Sequence, residues 1–347
     1  MHTFNNIQIY YFSGTGNSLN VATWFHQIAV EKNYTCTIEN IAKIDIHSIP
    51  KPEIDSLVVF ISPVHGFNYP PIMLDFIFHF PKSKNPVVLM NTRAGMLLGK
   101  WITPGITGVA FYFSALILLL KGYKIKALLP VDLPSNWISV HPGLNERTIT
   151  YLHEKNRVKV KSFASKIIFG KTDFKSVREI IQDILISPIA FLYYFVGRFL
   201  FAKSYFASND CDNCGICSKN CPVQAIITID KRLYWKFSCE SCMKCMSNCH
   251  TKAIETAHGF VITWLILASI VIGFVFRLFE INIVRINNGF IHFILETGLT
   301  LAFLGFGYRL VHYLMRFSFI ERLMVYTSLT KNKFWGKRYK ALKDKMN

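Results

Sequence analysis

The chain has 347 residues, of which 51% are apolar, 15% aromatic and only 17% charged. Those values exclude a disordered polypeptide, and the charge content is low for a fully soluble protein, where about a quarter is usual. The net charge is +18, and residues 260–347 hold 12 basic against 4 acidic side chains together with the longest apolar runs. That pairing points to a membrane and to no nucleic acid partner.

Ile7–Phe12 is a short β-type run ending at a glycine turn, without the basic start and long apolar stretch of an export signal. The chain is therefore expected to begin in the cytoplasm, where thiols stay reduced. Further β-type runs follow at Tyr34–Asn40, Leu57–Ser62, Pro86–Thr92 and Lys126–Leu133. Helical patterns fall at Ser18–Val30, Ile72–Phe80 and Ile106–Leu120, with one more at Glu146–Ile168. Strand and helix alternating at this spacing predict a parallel sheet with helices on both faces. Ile106–Leu120 has no charge and is expected as a buried helix of that domain, being short for a span, with a membrane contact as the alternative.

The first run leads directly into Ser13-Gly14-Thr15-Gly16-Asn17-Ser18, where a helix opens. Small residues let successive N–H groups turn toward one anion, the helix N-terminus adds partial positive charge, and the hydroxyls supply further donors. The loop lacks the lysine of a triphosphate loop and the glycine spacing of a nicotinamide fold. Two more segments stand at expected strand C-terminal ends, where such sheets bind ligands: Ser62-Pro63-Val64-His65-Gly66-Phe67-Asn68-Tyr69 and Asn91-Thr92-Arg93-Ala94-Gly95.

Taken together, residues 7–168 resemble a flavodoxin. The resemblance implies an FMN cofactor, with Ser13–Ser18 on its phosphate and the other two loops flanking the ring. It also implies that the Gly66 backbone lies near flavin N5 and that His65, Phe67 or Tyr69 supplies ring contact. Arg93 beside the ring would favour an anionic reduced flavin. The domain departs from the family in its charge of +7, flavodoxins being acidic, and in lacking the usual tryptophan and tyrosine pair.

Residues 171–207 read as a link whose apolar part, Ile184–Gly197, is broken by Ser187-Pro188. Fourteen residues are short for a span, so an interfacial or cover helix is expected.

Eight of the nine cysteines fall within 39 residues. Cys211, Cys214, Cys217 and Cys221-Pro222 follow C-x2-C-x2-C-x3-C-P, and Cys239, Cys242, Cys245 and Cys249 repeat the spacing 28 residues on. The repeat continues past the cysteines, Ala225-Ile226 answering Ala253-Ile254. Zinc sites take four ligands in two pairs, whereas three cysteines wrapped at this spacing suit a cubane, and the fourth ligates the other cluster. One 4Fe–4S cluster is thus assigned to Cys211, Cys214, Cys217 and Cys249, and a second to Cys239, Cys242, Cys245 and Cys221. Residues 208–256 resemble a bacterial dicluster ferredoxin, except that His250 stands where that family has its second proline. It is expected as an exposed turn residue. Cys36, inside an expected strand, reads as a small buried hydrophobe.

Beyond Gly259, Phe260–Phe276 holds no charge over 17 residues, and Gly289–Gly307 holds only His292 and Glu296 over 19. Two spans in a hairpin would leave the cysteine segment and the basic tail on one side, cytoplasmic by the positive-inside rule. His292 and Glu296, four apart on one helix face, are expected as a hydrogen-bonded pair, with a proton or quinone role as the alternative.

The expected organisation is a flavodoxin-like domain over 1–170, a linker over 171–207, a ferredoxin domain over 208–256, a transmembrane hairpin over 257–310 and a basic cytoplasmic tail over 311–347. The fold class is α/β, a doubly wound five-stranded parallel sheet followed by a small α+β dicluster domain and membrane helices. Residues 1–256 resemble bacterial flavodoxin–ferredoxin fusion proteins. That resemblance implies an electron-transfer protein, leaning to an oxidoreductase, and the hairpin beyond it adds a membrane anchor, so electrons are expected to pass between FMN, two clusters and a membrane quinone or redox protein such as an acidic ferredoxin. A redox sensor and a relay subunit of a larger complex are the alternatives.

Overall fold

The computed structural model describes residues 4–99, 101–278, 289–335 and 338–342. It divides into two compact units, one made of Met1–Asn136, Gly143–Tyr194 and Tyr339–Asn347, the other of Trp137–Pro142 and Phe195–Arg338. The expected linker 171–207 is thus shared between both units, and the end of the expected tail groups with the sheet.

The sheet unit runs β1 (Asn6–Tyr11), α1 (Asn17–Glu31), β2 (Thr35–Asn40), β3 (Ser56–Pro63), α2 (Pro71–His79), β4 (Pro86–Leu98), β5 (Trp101–Thr103), α3 (Ala110–Leu120), β6 (Lys124–Pro134), α4 (Glu146–Ile168) and α5 (Ile180–Leu192). Five strands are parallel in the order β2-β1-β3-β4-β6, and β5 folds back antiparallel on β4. Counted along the chain, the parallel strands lie 2-1-3-4-5, a doubly wound order whose switch point is between β1 and β3. Covered on both faces, the central strands must be apolar at every position rather than at alternate ones. Ser56–Ile61 of β3 and Val87–Met90 of β4 are accordingly fully buried. Trp24, Phe25, Val160, Phe163 and Ile167 of α1 and α4 close one face. Full burial of each large side chain contributes about 1.5–3 kcal/mol. Asn145 starts α4 by accepting a hydrogen bond from the Thr148 N–H at 2.8 Å.

Two expectations change here. Asn91–Gly95, expected as a loop, is strand, because β6 continues beside it as far as Pro134. The Ile106–Leu120 helix begins at Ala110 and is buried along one side only: Phe111 and Leu118 are covered, while Phe113, Leu116, Leu119 and Leu120 stand exposed.

The second unit holds α6 (Arg198–Ala202), β7 (Tyr205–Ala207), α7 (Ile216–Lys219), β8 (Ile226–Ile229), β9 (Arg232–Trp235), α8 (Lys244–Asn248), β10 (Ile254–Thr256), α9 (His258–Leu278), α10 (Gly289–Leu314) and α11 (Ser318–Tyr326). β7 pairs antiparallel with β10, and β8 with β9. The backbone repeats along with the sequence. Left-handed residues occur in pairs 28 apart: Asn213 with Ser241, Gly215 with Met243, and Gln224 with Lys252.

Among the described residues three helical stretches are long and apolar enough to cross a membrane: Lys175–Ala202, His258–Val275 and Phe293–Leu314. The first is more than the 14 apolar residues read from sequence, because helical geometry continues on both sides of them. α9 and α10 pack antiparallel, with the Trp264 ring against Phe303 and Gly307 and its Nε1–H donating to the Phe303 carbonyl at 2.9 Å. Glu296 is exposed on α10, while the side chain of His292 lies outside the described residues.

Candidate functional site

In the sheet unit the residues of interest gather at the C-terminal ends of β1, β3 and β4. Gly16 is the N-cap of α1 in a left-handed conformation (φ 111°), which turns the chain into the helix without a side-chain cap. The first turn of α1 contains no acidic residue. The Gly16 N–H donates to Ser13 Oγ at 3.1 Å. Ser18 Oγ meets Thr92 Oγ1 at 3.0 Å, joining the first loop to β4. Asn17 Nδ2 donates to the Pro134 carbonyl at 2.9 Å, and Asn136 Nδ2 bonds Thr15 Oγ1. Uncapped N–H groups with flanking hydroxyls form the donor set that a phosphate monoester requires.

The second loop is a tight hairpin. His65 and Asn68 exchange backbone hydrogen bonds at 2.8 and 3.2 Å around Gly66 and Phe67, both at positive φ. That is the pattern of a type I′ turn. A Cβ on Gly66 would stand 2.1 Å from the Tyr193 ring, so the ring lies directly on the Gly66 backbone. Nothing local in the sequence marks Tyr193, since the contact spans more than a hundred residues of chain. Val64 N–H bonds the Thr92 carbonyl at 2.9 Å, and Pro63 pairs with Thr92 across the sheet. Asn91 is fully buried with its Oδ1 unbonded among the described residues, an acceptor suited to a ring N–H. Ala94 and Gly95 pair with Leu133 and Pro134 of β6.

Arg93 is placed differently from the free cation expected beside a ring. Its side chain is 2% exposed, with Nε 2.7 Å from Asp132 and the two terminal nitrogens forked onto Glu179. Lys159 approaches the same Asp132 at 3.7 Å. Two carboxylates against two cations leave the cluster near neutrality. Its structural effect is to tie the start of α5 to the end of β4, and Asp183 of α5 adds to this by accepting from the Gly108 N–H at 2.7 Å and from Tyr112 at 3.2 Å.

In the second unit all eight cysteines of the motif are free thiols. They segregate crosswise. The electrostatic neighbours of Cys239 are Cys242, Cys245 and Cys221, and these four also line one cavity with Trp235 and Met243. Cys249 neighbours Cys211 and Cys217, with Cys214 beside Cys211. Cys245 is in addition close to Cys217, so the two groups adjoin. Burial pushes the Cys217 thiol up to about 11 and Cys242 up to about 12, and raises Cys239 well above the ordinary range. Backbone N–H groups of Ser218, Lys244 and Ser241 act against this by pointing at Cys217, Cys242 and Cys239. Left-handed residues alternating with right-handed ones aim successive N–H groups inward, an arrangement suited to anionic sulfur. Trp235 is fully buried, with its indole directed at the Cys245 thiol, where it favours the thiolate. Converging thiols and inward donors fit a metal–thiolate cluster.

Lys203, which carries no local signal, is 1% exposed and donates to the Trp235 carbonyl at 2.6 Å. The rings of Tyr234, Phe237 and Tyr308 surround its ammonium at 4.3 to 4.8 Å. Burial pulls it down to about 8, with nearby Cys239 acting the other way. His250 is exposed and pairs with Asp212 at 2.8 Å, at the rim beside Cys214. Cys36 lies in β2, its thiol raised to about 12 by burial.

No protein-family model matches the chain, and no curated protein does. Among solved structures, it is similar to rubredoxin oxygen:oxidoreductase from the anaerobe Desulfovibrio gigas, at 13% identity and TM-score 0.29, over 48% of this chain and 38% of that one. A Bacillus cereus flavodoxin 1 matches at 14% identity and TM-score 0.30 over 44% of this chain and 97% of its own. A Fusobacterium nucleatum flavodoxin bound to flavin mononucleotide matches at 10% identity and TM-score 0.32, over 48% and 99%.

Proposed function

We propose that the chain is a membrane-anchored electron-transfer protein, holding FMN on the sheet unit and two 4Fe–4S clusters in the cysteine unit. The observation that carries this reading is the crosswise gathering of eight thiols into two sets of four, in one chain with an uncapped glycine–hydroxyl loop at the end of β1. A flavin exchanges electrons singly or in pairs with protons, whereas each cluster passes one electron and no proton. This chain's residues would bind the phosphate through Ser13–Ser18, carry the ring against Gly66 and Tyr193, and present Asn91 to its polar edge. The indole of Trp235 and the inward N–H groups would stabilise thiolate charge, and the Lys203 ammonium would raise the potential of the cluster held by Cys239, Cys242, Cys245 and Cys221.

α9 and α10 are read as a spanning hairpin, with the redox units on the cytoplasmic side. α5 is read as lying in the plane of the interface. Glu179 at its N-cap and Asp183 in its first turn are held by Arg93 and by the Gly108 N–H, while Ile181, Ile184, Leu185, Ile189 and Leu192 stand exposed. A quinone within the bilayer or an acidic redox protein is the proposed partner, and the protein is read as an oxidoreductase.

The test is anaerobic reduction of the purified protein in lipid nanodiscs, with flavin absorbance and the electron paramagnetic resonance of the clusters recorded together. Electrons delivered by photoreduction of the flavin should appear as cluster signals in the same sample. A flavin that reduces while the clusters stay oxidised at any potential would remove the relay.

A further inference from the structure

Residues Tyr339–Leu342, far from the first strand in sequence, lie on the phosphate loop within the sheet unit. The Ala341 N–H donates to the Thr15 carbonyl at 2.9 Å. A Cβ on Gly16 would approach the Ala341 Cβ to 2.9 Å, so the segment touches the apex of the loop. Asn20 Nδ2 donates to the Leu342 carbonyl at 2.6 Å. Tyr339 is 4% exposed, and its hydroxyl joins Asn17 Oδ1 at 2.5 Å to His153 Nε2 at 2.9 Å. These contacts fall on residues 15–20 and on His153 of α4.

We infer that this C-terminal strap positions the phosphate loop for its anion, an inference that rests on reading Ser13–Ser18 as the FMN-phosphate site. In a trans peptide the C=O and the following N–H point to opposite sides. With the Thr15 carbonyl drawn outward onto Ala341, the Gly16 N–H must point inward, where it meets Ser13 Oγ at 3.1 Å. The Tyr339 hydroxyl fixes the Asn17 amide, whose other end is held by the Pro134 carbonyl. Gly16, like Gly14, has wide backbone freedom, so a segment that holds the Thr15–Gly16 peptide and the Asn17 side chain removes part of the ordering cost that the anion would otherwise meet. Tyr339 is thus a positioning residue: it bonds a loop side chain and acts on the anion through it.

The test uses the full chain depleted of flavin in detergent, a variant ending at Arg338, and Tyr339→Phe, which keeps the ring and removes one hydroxyl. Each is titrated with FMN and, separately, with riboflavin, which lacks the phosphate, following flavin fluorescence. The shortened chain should bind FMN about tenfold more weakly, equivalent to about 1.4 kcal/mol, and Tyr339→Phe a few-fold more weakly, with riboflavin affinity unchanged in both. FMN binding at wild-type affinity in the shortened chain, or an equal loss for FMN and riboflavin, overturns the inference. If the full-length protein itself binds FMN no better than riboflavin, the reading of the loop as a phosphate site falls instead.

Discussion

The two candidate sites stand on opposite kinds of scaffold. The glycine–hydroxyl loop after β1 sits on a sheet whose own core is large, with Ile7, Ile9, Val59, Ile61, Val88 and Met90 all fully buried. The cysteine segment has strands of three or four residues and helices of four or five, and its core packs directly against the thiols of Cys211, Cys217, Cys221, Cys239, Cys245 and Cys249. In the first case the fold precedes the cofactor. In the second the thiols border a small core, so on the reading proposed above binding free energy and folding free energy become one quantity. The lesson is that the same chain should respond to cofactor loss in two different ways.

Removing iron is therefore expected to have the largest effect. Chelation after oxidation should open residues 208–256 to protease while the sheet unit stays resistant, as read by fragment masses after brief digestion. Equal resistance in both regions would break the contrast. Cys221→Ser and Cys249→Ser come next and sharpen it. Crosswise ligation predicts that Cys221→Ser damages the cluster of Cys239, Cys242 and Cys245, while Cys249→Ser damages that of Cys211, Cys214 and Cys217. Spectra of the pair of variants, each combined with one set left intact, decide between crossed and uncrossed ligation.

In the sheet unit Arg93→Ala should cost about 3 kcal/mol of stability, because it leaves Asp132 and Glu179 without their main partner. The low end of the usual range applies, since the Glu179 side chain is 31% exposed. Denaturant unfolding measures this, and an unchanged midpoint would mean that the cluster of charges does not tether α5. The smallest effect is Lys203→Met, which removes a buried positive charge beside Cys239. The potential of that cluster should fall by roughly 60 mV, the one-electron equivalent of a tenfold change, with the other cluster little moved.

What could be read from sequence follows the range of the interactions involved. The five parallel strands and α4 were legible because apolar runs and helical period are local, and α4 spans Glu146–Ile168 as its pattern predicts. The gathering of the cysteines was legible because their spacing is a local, repeated pattern. The antiparallel β5 was missed, being three residues with Trp101 exposed and no apolar alternation. The exposed flank of α3 was misjudged because an uncharged run looks the same whether it meets a core or remains uncovered. Arg93 looked like a free cation until Asp132 and Glu179, distant in sequence, were seen to meet it. Tyr193, Lys203 and Tyr339 share that difficulty: each acts through contacts that no local pattern encodes.

That two kinds of redox centre share one chain is tested most directly by counting them in the isolated protein. Protein isolated without oxygen and analysed for iron, acid-labile sulfide and flavin should contain one FMN and about eight irons, four in each of two clusters, per chain. Material with no flavin, or with about four irons or fewer, would contradict it.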